Sequence, residues 1–431
     1  MRSATLVRDV YLLAGARTPF LRSEGAFSEL MSYELAARAL SGLLAKTRVD
    51  PAEIDRVVLG TVLADPRTTN LGREASLAAG IPSGVPAFTV TSACVSAGVA
   101  AMGATEAIAS GAAGLVVAGG AESLSDAPIR FRRAVRKRLM ASRRARGAWD
   151  WARLLKGISL SDLLPEVPAI AEFTTGLTMG QNAERLARRL GISREAQDSF
   201  ALNSHRRAAA ASEAGHLRAD IVPVRAAPRF GEIADDDGIR SDTTGEKLSR
   251  LSPAFDRTFG TVTAATSSFL TDGAAVCLLA SADRAKALGV APLARIAATA
   301  FAGLDPLEEL LLGPAVAIPR ALDEAGVRLS DVGVLEIHEA FAVPVLAVEK
   351  LLADEGFCRT RLGRSGPAGK IDPERVNAWG GSLSLGHPFG ATAARLMTTC
   401  ARRMHAEGAR WGVAAACAAG GLGHAVLLER A

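Results

Sequence analysis

Ala87-Phe-Thr-Val-Thr-Ser-Ala-Cys-Val-Ser-Ala-Gly98 opens with a short run of strand-forming residues, tightens into small side chains around Cys94 and continues into a helical stretch, 95–110. A second stretch repeats the plan: extended Val376-Asn-Ala-Trp379, a glycine-flanked turn at His387, then a helical stretch over 391–406. The correspondence extends outward from both. Upstream, a helical 34–46 leads through Pro51-Ala-Glu-Ile-Asp55 to the apolar run Val57-Val-Leu59. Near the other turn, 317–325 leads through Leu329-Ser-Asp-Val332 to Val334-Leu-Glu-Ile337. Downstream, Leu115-Val-Val-Ala-Gly-Gly120 and Val413-Ala-Ala-Ala-Cys-Ala-Ala-Gly-Gly421 are apolar strands ending in glycines. Short apolar runs alternating with helices predict α/β layers. The duplication predicts two similar domains facing each other.

A length of 431 residues suits two or three domains. Hydrophobic residues make up 49% and charged residues 22%, which excludes a disordered chain. With aromatics at 5% and 42 glycines, the helices are expected to pack closely through Ala, Gly, Val and Leu. Residues 1–13 lack the basic-then-apolar pattern of a secretory signal, and no apolar run is long enough for a transmembrane helix. Five scattered cysteines, with no CxxC pair, argue against a disulfide framework or zinc site and for a reducing compartment. The expected location is cytoplasmic, with the option of a peripheral place at a membrane.

The net charge of +5 is uneven: 130–156 carries eleven Lys/Arg against the single acid Asp150, so the rest of the chain is net acidic. Nucleic acid, an anionic lipid surface or a phosphorylated cofactor would suit such a patch, as would plain solvent around a basic helix. The patch lies in a stretch, 123–255, that reads as an irregular insertion in the first domain. It also holds Pro165, Pro168 and the acidic turn Asp235-Asp-Asp-Gly238. Such excursions on rigid scaffolds often shape binding sites.

Four side chains are candidates for chemistry. Cys94, ahead of a helix of small residues, is placed where free N–H groups and the helix dipole favour a thiolate; the alternative is a small buried hydrophobe. His387, in Gly380-Gly-Ser-Leu-Ser-Leu-Gly-His-Pro-Phe-Gly-Ala-Thr392, occupies the equivalent place in the other half. It is a candidate base for that thiol, with Pro388 expected to open the helix; a capping or core histidine is the alternative. Cys417, where a strand runs into a glycine turn, could act as acid or base, or simply pack. His338 stands in Glu336-Ile-His-Glu-Ala-Phe-Ala342, which is not HExxH, so a metalloprotease is excluded. It could donate to an oxyanion, or be a satisfied core histidine.

Taken in order along the chain, the turn around Cys94, Thr261-Val-Thr-Ala264 with Ser267-Ser-Phe-Leu-Thr-Asp-Gly273, the GHPFGAT turn and the CAAGGLG turn resemble the motifs of the thiolases. His338-Glu-Ala-Phe-Ala342, Arg17-Thr-Pro-Phe20, Ser125-Asp-Ala-Pro-Ile-Arg130, Leu311-Leu-Gly-Pro314 and Trp379-Gly-Gly-Ser-Leu-Ser-Leu385 are most similar to the β-subunit of the fatty-acid β-oxidation trifunctional enzyme. Val343-Pro-Val345 departs from that subgroup, which tends to carry a small residue and Gln there.

The resemblance implies an α/β thiolase-like fold: two similar βαβαβαββ domains in αβαβα layers, divided as 1–284, with an inserted loop region at about 123–257, and 285–431. It implies a thiolase working on medium- or long-chain 3-ketoacyl-CoA. Cys94 would be the nucleophile, His387 its base, Cys417 the proton donor and acceptor, and His338 part of an oxyanion hole. The backbone N–H groups of Cys94 and Ala419 would serve the other oxyanion, and Ser268 the pantetheine arm. Coenzyme A would be co-substrate, with no permanently bound cofactor and no metal. The expected partners are a second copy or more, a hydratase/dehydrogenase subunit and a membrane surface at 130–156, but not nucleic acid. An acetoacetyl-CoA thiolase working in condensation and a ketosynthase-like condensing enzyme are the alternatives; a second thiol, Cys417, sets thiolases apart from the latter.

Overall fold

In the computed structural model, residues 8–166, 171–228 and 230–431 are described; Pro168 falls outside them. The first half runs β1 (Val10–Arg17), α1 (Ser32–Thr47), β2 (Arg56–Gly60), α2 (Leu71–Ala78), β3 (Ala87–Val90), α3 (Ser96–Ala109) and β4 (Leu115–Glu122). The insertion follows, with α4 (Arg133–Ser142), α5 (Ala148–Leu155), α6 (Met179–Leu190) and α7 (Arg194–Glu213). Strand β5 (Thr271–Ser281) closes this half. The second half runs β6 (Ala294–Gly303), α8 (Gly313–Ala325), β7 (Val332–Ile337), α9 (Ala342–Leu352), α10 (Thr392–Glu407), β8 (Trp411–Ala418) and β9 (Leu422–Arg430).

The strands form one sheet in the order β7-β8-β9-β6-β1-β5-β4-β2-β3, with Leu21–Arg22 pairing on β5. The halves meet at β1 and β6, which share only Tyr11↔Arg295 and Leu12↔Ala294. Outward from that seam both follow the same rule: two antiparallel pairings, then a parallel one. Strand β3 adds a further parallel partner to β2. Its counterpart is reduced to one parallel bridge, Leu335↔Val376. The duplicated plan in the sequence is thus a duplicated topology.

Helices α3 and α10 pack on each other and on strands of both halves, forming the middle of five layers. Layer spacing explains the composition of α3. Its buried residues include Ala97, Gly98, Ala100, Ala101, Ala104 and Ala107, so a helix enclosed on several sides still fits between the two halves of the sheet. Outside the first half, α1 packs on β5, β1 and β4; outside the second, α8 packs on β9, β6 and β8.

The insertion is less irregular than the sequence suggested. Helix α6 starts at a capping box, in which Thr178 Oγ1 accepts from Gln181 N and Gln181 reaches back to Thr178 N. Helix α7 is capped by Ser193. Both lie against α9. The acidic turn is a three-point clamp. Asp235 pairs with Arg218, Asp236 takes a bidentate contact from Arg17 at 2.6 and 2.8 Å, and Asp237 accepts from Arg22 N at 2.9 Å. Asp236 also accepts from Phe20 N, so the Arg17–Phe20 motif is fastened directly to the insertion.

Candidate functional site

Three loops meet where the central helices begin. The segment 266–268 pairs with 340–342 through Ala342 N to Thr266 O and Ser268 N to Ala340 O. One residue on, His387 N donates to Phe269 O, which brings in the histidine turn. Gly386 has φ +89°, and a Cβ there would lie 2.2 Å from Thr271 Cγ2, so only glycine lets this turn approach so closely.

Cys94 and His387 look into one apolar cavity of about 280 Å³, walled by Val62, Leu63, Leu124, Met179, Phe341 and Phe389. Ala419 and Ser268 also line it. Ala93 holds φ +48°, a strained conformation for a residue with a Cβ, and it turns Cys94 out of the chain just before α3. Ser96 Oγ supports this turn by accepting from Ser92 N and donating to Ala93 O.

Enclosure pushes the Cys94 thiol up to about 12, although the N–H groups of Ala419 and of Cys94 itself pull it down; the Glu122 carboxylate adds to the rise. The helix terminus that favours a thiolate is outweighed by desolvation, so the sulfur rests protonated and needs a base, the part expected of His387. His387 is suited to that task. Burial, then the Arg395 charge, lowers it to about 3, so it is neutral. Its Nδ1 lies 2.6 Å from Thr392 Oγ1, which in turn donates to Pro388 O at 3.2 Å. A hydroxyl has one proton, and here the Pro388 carbonyl takes it. Nδ1 must then carry the imidazole proton, which leaves a lone pair on Nε2. That Nε2 is buried and has no partner among the described residues. Pro388 itself does not open α10, which begins four residues later; its carbonyl orients Thr392 instead.

His338 and Cys417 stand behind this front. The His338 ring lies 4.1 Å from that of His387, tilted by 45°. Cys417 is buried, and its thiol is raised to about 12 by burial and then by the neighbouring Cys94. Ala419 takes no positive φ, so the N–H it presents to the Cys94 sulfur needs no glycine. All six positions singled out in the sequence therefore gather at one place. Among the described residues no cluster of His, Cys, Asp or Glu could hold a metal ion.

Two carboxylates that shape the site were not singled out. Glu122, fully buried at the end of β4, accepts from Thr61 Oγ1, Val62 N, Leu63 N and Gly390 N. It ties the cavity wall to the histidine turn across the two halves. Glu172, in a turn of the insertion closed by the bridge Ala171↔Thr178, accepts from Gly420 N at 2.8 Å. A glutamate closing a glycine-rich strand was a faint signal for the first; nothing local marked the second.

A family model described as the N-terminal domain of thiolase matches residues 10–283, and one for the C-terminal domain of thiolase matches 290–430. The mitochondrial trifunctional enzyme subunit beta of Mus musculus is 44% identical over 423 residues, 98% of this chain and 88% of the relative. A 3-ketoacyl-CoA thiolase of Pectobacterium carotovorum is 41% identical over 420 residues, 97% of this chain and 96% of the relative. The crystal structure of human mitochondrial 3-ketoacyl-CoA thiolase in complex with CoA superposes with a TM-score of 0.84 at 30% identity, covering 100% of both chains. The chain belongs to the thiolase family and is an acyltransferase.

Proposed function

We propose that this enzyme is a 3-ketoacyl-CoA thiolase of fatty-acid β-oxidation, cleaving medium- and long-chain 3-ketoacyl-CoA with CoA to acetyl-CoA and a shortened acyl-CoA. The observation that carries the reading is one apolar cavity into which a protonated cysteine, a bare imidazole nitrogen and a backbone N–H all face. Its apolar wall is what an acyl chain needs. Leu124, Ala127 and Met179, contributed by the insertion, would set the usable length.

His387 Nε2 takes the Cys94 proton as the sulfur attacks the 3-keto carbon. The C2–C3 bond breaks, leaving an acyl group on Cys94 and the enolate of acetyl-CoA. Cys417 gives its proton to C2. The Cys417 thiolate then takes the proton of incoming CoA, whose sulfur attacks the acyl group. Cys94 departs and recovers its proton from His387. Donors fixed in advance lower the cost of each oxyanion: the Cys94 and Ala419 N–H groups for the one on the attacked carbonyl, His387 and His338 for the enolate. Ser268 would meet the pantetheine arm.

CoA-dependent cleavage of 3-ketoacyl-CoA esters of short and long chain, by wild type, Cys94→Ser and Cys417→Ser, tests this. Cleavage favouring long chains and lost by at least about 10³-fold in both variants is expected. No cleavage at any length by folded protein would sink it.

Two further parts of the reading rest on surfaces. Strand β3 ends the sheet with Phe88 exposed, which suits pairing with a second copy. Residues 130–156 expose Phe131, Leu139, Met140, Trp149, Trp151 and Leu155 among their arginines, which suits peripheral contact with anionic lipid. No helix among the described residues is long and apolar enough to cross a membrane. A hydratase/dehydrogenase partner subunit and a cytoplasmic location complete the proposal; co-purification and fractionation test them.

A further inference from the structure

We infer that a buried chain, Glu336–Arg395–Ser382, fixes His338 with its proton on Nε2, so that this histidine can only donate toward the reacting groups; Ser382 and Arg395 are positioning residues for that donor.

Glu336 and Arg395 are an ion pair at 3.5 Å, with their side chains 0% and 2% exposed. Glu336 is held from the other side by Arg403 at 2.7 Å. The guanidinium of Arg395 is drawn toward Glu336 by charge, without a hydrogen bond between them, and from there Nη2 reaches Ser382 Oγ at 3.4 Å. A guanidinium has donors only, so Ser382 Oγ is the acceptor in this contact. The other contact of Ser382 Oγ is His338 Nδ1 at 2.9 Å. Among the described residues Nδ1 is the one acceptor this hydroxyl meets, so its single proton goes there while its oxygen accepts from Arg395. Nδ1 is then an acceptor, and a neutral imidazole must carry its proton on Nε2. His338 is kept neutral: burial, then the nearby His387 and Arg395, hold it well below the ordinary histidine range. Its Nε2 is buried and meets no partner among the described residues.

The neighbouring His387 is fixed the other way. There the hydroxyl of Thr392 spends its proton on a carbonyl, and Nε2 keeps a lone pair. Two imidazoles 4.1 Å apart thus carry opposite tautomers, one an acceptor for the thiol proton, the other a donor for developing negative charge. The difference is written in what each supporting hydroxyl touches next: a carbonyl, which only accepts, or a guanidinium, which only donates. Without the Ser382 proton, His338 would be free to turn a lone pair toward an oxyanion and repel it.

The catalytic half of this inference rests on the thiolase reading of the site; the tautomer does not. The test therefore has two arms. In the full-length protein labelled with ¹⁵N-histidine, the signals that vanish in His338→Asn belong to this ring. At neutral pH they should show an unprotonated Nδ1 and a protonated Nε2. The reverse assignment, or a doubly protonated ring, overturns the inference, and this spectrum needs no variant of the chain that holds the tautomer. In the second arm, Ser382→Ala should lower kcat by about 10–100-fold, with the KM for CoA changed by less than about twofold. Alkylation of Cys94 by iodoacetamide should be unaffected, since His387 is untouched. Ser382→Thr, which keeps the hydroxyl, should recover both kcat and the wild-type tautomer. Folded Ser382→Ala with wild-type kcat overturns the positioning role. The expected spectrum in a protein without thiolase turnover would sink the functional reading and leave the tautomer standing.

Discussion

Replacing Glu122 by glutamine asks whether the halves are locked together at the site by one carboxylate. Oε1 accepts from the Thr61 hydroxyl at 3.1 Å and Leu63 N at 2.9 Å; Oε2 accepts from Val62 N at 3.0 Å and Gly390 N at 2.9 Å. An amide can keep only one oxygen. Its best placement puts the NH₂ on the Oε1 side, where the Thr61 hydroxyl can rotate to accept, and sacrifices Leu63 N. That orphaned buried donor costs about 1–3 kcal/mol, and the two surviving bonds each lose about 1 kcal/mol as their acceptor becomes neutral. The gain in return is relief from burying a charge, the desolvation that raises the Glu122 carboxyl above its usual range. The net is about 2–4 kcal/mol. For a chain this long, with unfolding entropy near 2 cal/mol/K per residue, that lowers Tm by about 2–4 °C. Turnover should suffer more visibly. Val62 and Leu63 wall the cavity and Gly390 follows Phe389, so kcat/KM should fall by about tenfold from misplacement alone. Yet the Glu122 charge also raises the Cys94 thiol, so alkylation of Cys94 by iodoacetamide should become faster as thiolysis becomes slower. Calorimetry, thiolysis and alkylation on one preparation read all three. Unchanged Tm with unchanged kcat/KM would refute the lock; slower alkylation would refute the electrostatic part.

Two other outcomes follow from the same geometry. With Cys94 raised to about 12 and His387 lowered to about 3, neither group titrates near neutrality. The thiolate fraction then grows about tenfold per pH unit, so the alkylation rate of the free enzyme should climb without a plateau through pH 9, and a plateau below pH 8 would show an ion pair already formed. At the surface, the chain should co-sediment with anionic vesicles, and Trp149→Ala with Trp151→Ala should weaken this by about tenfold or more; binding unchanged by that double substitution would remove 130–156 from the interface.

The sequence was most informative where periodicity and duplication speak together. The apolar runs at 57–59, 115–120, 334–337 and 413–418 fall in strands because they are buried continuously, and the turns at Cys94 and His387 fall before central helices because small residues leave room there. It was least informative where the partner is far along the chain. The capping box at Thr178 and Gln181 was a readable local signal for α6 that composition obscured, since this region is rich in charge. Glu122 had only its place near two glycines, and Glu172, Ser382 and Arg395 had no such signal. Each acts through a residue tens or hundreds of positions away, and one sequence carries no record of those distances. How strongly the Cys94 thiol holds its proton was not legible for a related reason: a helix terminus is visible in a sequence, but the depth of enclosure that outweighs it is not.

Duplication also explains why neither half could do this chemistry alone. The same structural place, the turn ahead of a central helix, carries a thiol in one copy and an imidazole in the other. Because α3 and α10 pack side by side between the two halves of the sheet, the two turns open toward one cavity. A symmetric pair of sulfurs would have no base, and a symmetric pair of histidines no nucleophile. Divergence at two equivalent positions turns a structural repeat into a reactive pair. The strand ends carry the same logic further. The end of β4 supplies a carboxylate that accepts four bonds and holds the site closed, whereas the end of β8 supplies a second thiol and an N–H aimed at the first. On the proposed mechanism the first half thus gives the attacking atom and most of the cavity wall, and the second gives Phe341 and Phe389 of that wall, the base that takes the thiol's proton and the acid that protonates the leaving carbon.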